Sequence, residues 1–130
     1  MQKKKILLVD DSNTILMMEK LILANGPWNL ITACNGEEAV HKASAEHPDL
    51  ILLDVIMPKM SGFEACRQIR SCPQTEAIPI IMVTTRGEAA NVEAGWANGC
   101  TDYVTKPINS IELLAKVRSI LEDSLVEVAR

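Results

Sequence analysis

Aromatic side chains are scarce in this chain, which holds one Phe, one Tyr and two Trp. A protein that grips single-stranded nucleic acid by stacking bases on several rings needs more of them. Basic charge is not in excess either. Lys and Arg number 13 against 17 Asp and Glu, and the net charge of −4 lacks the positive footprint of a DNA or RNA binder. Long apolar runs are missing. The longest are about four residues, against the roughly 18 of a membrane span. Lys3, Lys4 and Lys5 followed by Ile6–Val9 imitate the start of a secretory signal, but Asp10 and Asp11 end the apolar stretch too soon. The sequence therefore reads as cytoplasmic, with no membrane partner. Cys34, Cys66, Cys72 and Cys100 form no Cys-x-x-Cys pair and have no His at zinc spacing. They are expected to be small buried hydrophobes in a reducing compartment.

What is present points to one folded domain. Apolar residues make up 48% of the 130 and charged residues 23%, which excludes a disordered chain. A chain of this mass buries about two-thirds of its unfolded surface, so it needs no disulfide or metal to fold. Short apolar runs alternate with helical periodicity. Ile6–Val9, Trp28–Cys34, Leu50–Leu53, Ile78–Val83 and Tyr103–Thr105 read as strands. Pro79 is tolerable near the start of the fourth. Ile15, Met18 and Ile22 mark the first helix, closed by Gly26-Pro27, and Asn35 caps a second that carries Ala39, Val40 and Ala43. Phe63, Cys66 and Ile69 mark a third. Val92, Trp96 and Cys100 mark a fourth, in which Trp96 is expected in the core. Ile111, Leu114, Val117 and Leu121 mark the last, where Glu112 and Lys116 form a supporting i,i+4 pair. Five β-α repeats imply a parallel sheet covered by helices on both faces, and continuous apolar strands suit it.

Ligands bind such a sheet beyond the carboxyl ends of its strands. Strand one ends at Asp10-Asp11, strand three at Asp54, strand four at Thr84-Thr85, and strand five runs into Lys106-Pro107. One edge would then collect three carboxylates, hydroxyls and an amine. Carboxylates held that close repel unless some protonate or a cation offsets them. Oxygen-only ligands suit a hard dication, with Mg²⁺ the default. An Asp carboxylate is also a nucleophile able to form an aspartyl-phosphate. Lys106 would neutralise a phosphoryl oxygen and the Thr84 hydroxyl would hydrogen-bond another.

Val-Asp-Asp at 9–11, Asp-Val-Ile-Met-Pro at 54–58, Gly62, the Thr84 hydroxyl and Asp-Tyr-Val-Thr-Lys-Pro at 102–107, in that order, resemble the receiver domain of two-component response regulators. The resemblance covers about residues 4–122. It implies a flavodoxin-like α/β fold with strand order 2-1-3-4-5, a receiver domain over 1–122, and a C-terminal helical extension or linker stub over 123–130. It implies Asp54 as phosphoacceptor. Asp10, Asp11, Asp54 and the backbone carbonyl of Ile56 would hold Mg²⁺, Thr84 and Lys106 would contact the phosphoryl group, and Tyr103 would be the switch aromatic responding to Thr84. The implied phosphodonor is a histidine kinase or phosphotransfer protein. The implied output is a face of helix four, strand five and helix five that binds a protein partner or a second copy, without direct nucleic-acid contact. The Lys106-Pro107 bond is expected to be cis. Thr85 replaces a usual small Ala beside the phosphoryl position, and Ile56 and Arg86 stand where the family tunes hydrolysis. Kinase specificity is expected around Asn13, Leu16 and Met17.

Each of these residues also has a plainer reading. Asp10, Asp11 or Ser12 could cap the first helix, Asp54 could open a loop, and His41 and His47 read as surface residues. Leu121, Leu125 and Val128 keep helical spacing past the expected domain end, which suits a tail packed back on the domain, a dimer seam or a linker. Three other functions fit the architecture. A receiver-like module could act without phosphorylation. An aspartyl-nucleophile phosphatase would want a second Asp where Ile56 stands, and a flavin domain would want a phosphate-binding loop where Asp10 and Asp11 stand.

Overall fold

A computed structural model describes residues 3–85 and 89–128. The strands are β1 (Lys4–Val9), β2 (Trp28–Ala33), β3 (Leu50–Asp54), β4 (Ile80–Thr85) and β5 (Asp102–Lys106). The helices are α1 (Asn13–Leu23), α2 (Gly36–Glu46), α3 (Gly62–Ser71), α4 (Ala89–Ala97) and α5 (Ser110–Val128). All strand pairs are parallel, in the order β2-β1-β3-β4-β5.

The apolar runs explain this layout. Every residue from Ile6 to Val9 and from Leu50 to Asp54 is buried, because β1 and β3 sit mid-sheet with helices on both sides. Side chains alternate between two cores. Leu7, Val9, Ile51, Leu53, Ile80 and Met82 face one that also holds Ala39 and Ala43 of α2 and Ala65, Cys66 and Ile69 of α3. Ile6, Leu8, Leu50, Leu52, Ile81 and Val83 face the other, with Leu16 and Leu23 of α1 and Leu113, Val117 and Leu121 of α5. The helix starts are fixed locally: Ser12, Asn35 and Ser61 cap α1, α2 and α3 by accepting from the backbone N–H of Ile15, Glu38 and Glu64. Among the described residues, no helix is long and apolar enough to cross a membrane.

Several details depart from the sequence reading. Strand β4 begins at Ile80 rather than Ile78 and runs on to Thr85. Pro79 has no N–H to give, so its carbonyl starts the pairing by accepting from Ile51, while Ile78 closes a turn onto Thr75. Trp96 is 48% exposed rather than buried in the core, and Ile111 is 79% exposed, leaving Leu113 to face the sheet in its place. Cys66 and Cys100 are buried as expected, but Cys34 is exposed and Cys72 only half-buried. Lys116 pairs with Asp102 rather than Glu112. The side chains of Thr85, Leu125 and Val128, and all of Arg86, lie outside the described residues.

The largest difference is on α1. Its buried face is Leu16, Glu19 and Leu23, not Ile15, Met18 and Ile22. Leu16 is therefore core, unsuited to the specificity role expected of it. Glu19 is 1% exposed, and its Oε1 has no hydrogen-bond partner among the described residues. Burial, reinforced by the charge of Asp10, pushes its carboxyl up to about 8. The folded chain thus keeps a proton there that the unfolded chain sheds above its ordinary value near 4.5. Stability must fall as pH rises between those values. Replacing Glu19 with Leu is expected to stabilise the protein by about 2 kcal/mol at pH 8 and by much less at pH 5. Urea denaturation at the two pH values checks this, and equal effects at both would contradict it.

Candidate functional site

The carboxyl edge of the sheet gathers the polar strand ends. Asp10 follows β1 and is buried, with its backbone N–H donating to Ala33 of β2 and its Oδ1 accepting from Ser12 N–H at 2.9 Å. Asp11 beside it is exposed. Asp54, the last residue of β3, is buried. Asp10, Asp11 and Asp54 each bring one carboxylate oxygen within 4.8 Å of the others. Lys106, at the end of β5, reaches in from the far side, its Nζ 3.0 Å from Asp54 Oδ1 and 3.3 Å from Asp10 Oδ2. The Lys106-Pro107 bond that follows is cis.

These contacts set the protonation states. Burial raises the Asp54 carboxyl, the hydrogen bond from Lys106 opposes this, and nearby Asp10 adds to the rise, leaving it at about 6. Lys106 is disfavoured by burial, yet its hydrogen bond and charge pairing with Asp54, with help from Asp10, hold it above the ordinary lysine value. Thr84 lies on β4, one residue beyond the Val83 that pairs with Asp54. Its Oγ1 is buried with no hydrogen-bond partner among the described residues. A buried hydroxyl left so is a donor waiting for an acceptor.

The structure thus brings Asp10, Asp11, Asp54 and Lys106 into one cluster, with Thr84 at the same edge. Ile56 follows two residues after Asp54 with its side chain 65% exposed. Tyr103 stands apart, paired in register with Met82 and packed against Trp96. Three oxygen donors of like charge, two buried and one open to solvent, fit a hard dication that keeps part of its water shell. Glu19 was not among the expected site residues. The charges of Asp10 and Asp54 reach it from the cluster, and a glutamate spaced between Leu16 and Leu23 was the available signal.

The sequence pattern described as "Response regulator receiver domain" matches residues 6–118. The chain belongs to the response regulator receiver family. Its curated relatives include the alkaline phosphatase synthesis transcriptional regulatory protein PhoP of Bacillus subtilis, 43% identical over 121 residues, which are 93% of this chain and 50% of that protein. The phosphate regulon transcriptional regulatory protein PhoB of Rhizobium meliloti is 38% identical over 124 residues, 95% of this chain and 55% of that protein. The chain therefore spans about half the length of the curated relatives it matches. Among solved structures, the chemotaxis response regulator CheY4 of Vibrio cholerae superposes with a TM-score of 0.85 at 36% identity, covering 92% of this chain and all of that one. The receiver domain of the sensor histidine kinase PA1611 of Pseudomonas aeruginosa, solved with magnesium coordinated in its active-site cleft, gives 0.83 at 27% identity, covering 90% of this chain and 96% of that one. The receiver domain described here is thus a flavodoxin-like module of two-component signalling, from a family of signalling phosphoacceptors rather than turnover enzymes.

One backbone contact holds the receiver's central aspartate in place. After Asp54 the chain turns back so that Gly62 N–H donates to the Val55 carbonyl at 2.8 Å. A Cβ on Gly62 would lie 2.1 Å from the Asp54 carbonyl oxygen and 2.9 Å from Val55 Cα, both backbone atoms that cannot swing away. Gly62→Ala is expected to cost about 2–3 kcal/mol of stability. A urea midpoint equal to that of the unchanged protein would contradict this close approach.

Proposed function

We propose that Asp54 accepts a phosphoryl group in a Mg²⁺-dependent step, and that the modification switches a protein-binding face. The observation that carries this reading is the cluster itself: three carboxylates within 4.8 Å, one of them bridged by Lys106 to its neighbour, with a buried hydroxyl at the same edge that has no partner among the described residues. At neutral pH a carboxyl at about 6 is mostly ionised and nucleophilic. An Asp54 oxygen attacks phosphorus. The P–N bond of a phosphohistidine on a histidine kinase or phosphotransfer protein breaks, and its electron pair returns to the imidazole. Lys106 follows the charge from the carboxylates onto the phosphoryl oxygens, and Thr84 donates its unused O–H to one of them. Asp10, Asp11, Asp54 and the Ile56 carbonyl would hold Mg²⁺, which when bound offsets the charge of the carboxylates and the incoming phosphoryl group.

Movement of Thr84 toward the phosphoryl group opens room for Tyr103 to turn inward, which alters the face made by α4, β5 and α5. That face then binds a protein partner or a second copy. The chain itself makes no direct contact with nucleic acid or membrane, in keeping with its net charge of −4, and it works in the cytoplasm, where such donors present their phosphohistidines. Residues 1–122 are the receiver and 123–130 an extension or linker stub. The backbone of α5 running on to Val128 suits a helical link.

Incubation with acetyl phosphate or phosphoramidate and Mg²⁺ is expected to add one phosphoryl group, about 80 Da by intact mass. The gain should vanish when Mg²⁺ is chelated and in Asp54→Ala. Folded protein that gains no mass with either donor would contradict the proposal.

A further inference from the structure

Lys116 on α5 does not stay on its own helix. It reaches round β5, the edge strand of the sheet, and its Nζ meets three groups there. It donates to Asp102 Oδ1 at 3.1 Å and to the Tyr103 carbonyl, and it stands 4.9 Å from the centre of the Tyr103 ring. Asp102 Oδ1 in turn accepts from Tyr103 N–H at 2.8 Å. The Asp102–Lys116 pair therefore binds both the N–H and the carbonyl of Tyr103. On the other side, Trp96 of α4 meets the Tyr103 ring edge to face, with centroids 6.0 Å apart and planes at 88°. The ring is thus held from both helices that flank β5. The two ring contacts depend on where the ring points, because a cation favours the ring face and an aromatic pair favours the perpendicular arrangement. The backbone contacts do not depend on it.

We propose that Lys116 and Trp96 are positioning residues for Tyr103, holding its half-buried ring between α4 and α5 and setting the resting balance of the switch. The inference rests on the reading of Tyr103 as the switch aromatic. When the ring turns inward it gives up the cation over its face and the Trp96 contact, while Asp102 and Lys116 keep the strand in register. Removing either ring contact should therefore let the ring turn without phosphorylation.

Tyr103 is the only tyrosine of the chain, so 3-fluorotyrosine labelling gives a single ¹⁹F resonance. The full chain is labelled as wild type, Lys116→Arg, Lys116→Met and Trp96→Ala, and spectra are recorded before and after treatment with acetyl phosphate and Mg²⁺, with intact mass read in parallel. Before treatment, wild type and Lys116→Arg are expected to share one line position. Lys116→Met and Trp96→Ala should move toward the position seen after phosphorylation, with the turned population raised roughly two- to fivefold. All four proteins should gain the phosphoryl mass alike, since neither Lys116 nor Trp96 touches the acidic cluster. A normal mass gain with the resting lines of Lys116→Met and Trp96→Ala unmoved would overturn the clamp alone. A wild-type chain that gains no mass would overturn the parent reading and the clamp with it.

Discussion

Repulsion among Asp10, Asp11 and Asp54 is the constraint on which the site depends. Their oxygens lie within 4.8 Å of one another, and Lys106 is the cation that the described residues set against them. One positive charge against three negative ones leaves the cluster short of neutral. Asp54 registers burial first and the charge of Asp10 with it, raised to about 6 in spite of its hydrogen bond from Lys106. An edge held in that condition favours any arrival that brings positive charge, and it holds an ionised nucleophile ready at neutral pH. The hydroxyl of Thr84, which has no acceptor among the described residues, adds a donor for an oxygen that arrives later.

The fold makes this arrangement affordable. Burying β1 and β3 on both faces supplies the apolar area that stabilises the chain, and it fixes the strand ends that carry Asp10 and Asp54 next to each other. The tight return at Gly62 then locks the backbone of Asp54 from behind. Glu19 runs against this economy. A third buried carboxyl, this one on α1 and near enough to feel Asp10, lowers stability as pH rises, and an apolar residue would fill its place better.

Much of this was legible in the residue order. Short apolar runs ending in chemistry-bearing residues suit doubly covered strands, so Asp10, Asp11, Asp54, Thr84 and Lys106 stood out in the residue order. Helix faces were harder. On α1, Ile15, Met18 and Ile22 and the set Leu16, Glu19 and Leu23 are stripes of similar spacing about one residue apart, roughly 100° of rotation. The apolar count favoured the first, yet the sheet took the second together with its glutamate. On α5 the buried stripe keeps Val117 and Leu121 as expected and takes Leu113 in place of Ile111. Lys116 was misplaced because an i,i+4 partner is visible in sequence, whereas Asp102 and the Tyr103 ring come close only once β5 and α5 have packed.

The central claim is that burial, together with the crowding of carboxylates, raises Asp54 against the pull of Lys106. Titration of its side-chain carboxyl by ¹³C NMR, with Asp54→Ala for assignment, tests this directly. The account predicts a midpoint at about 6 without added metal and a fall of more than about one pH unit when Mg²⁺ is present, because a cation restores the missing positive charge. A midpoint in the ordinary aspartate range that Mg²⁺ does not move would contradict it.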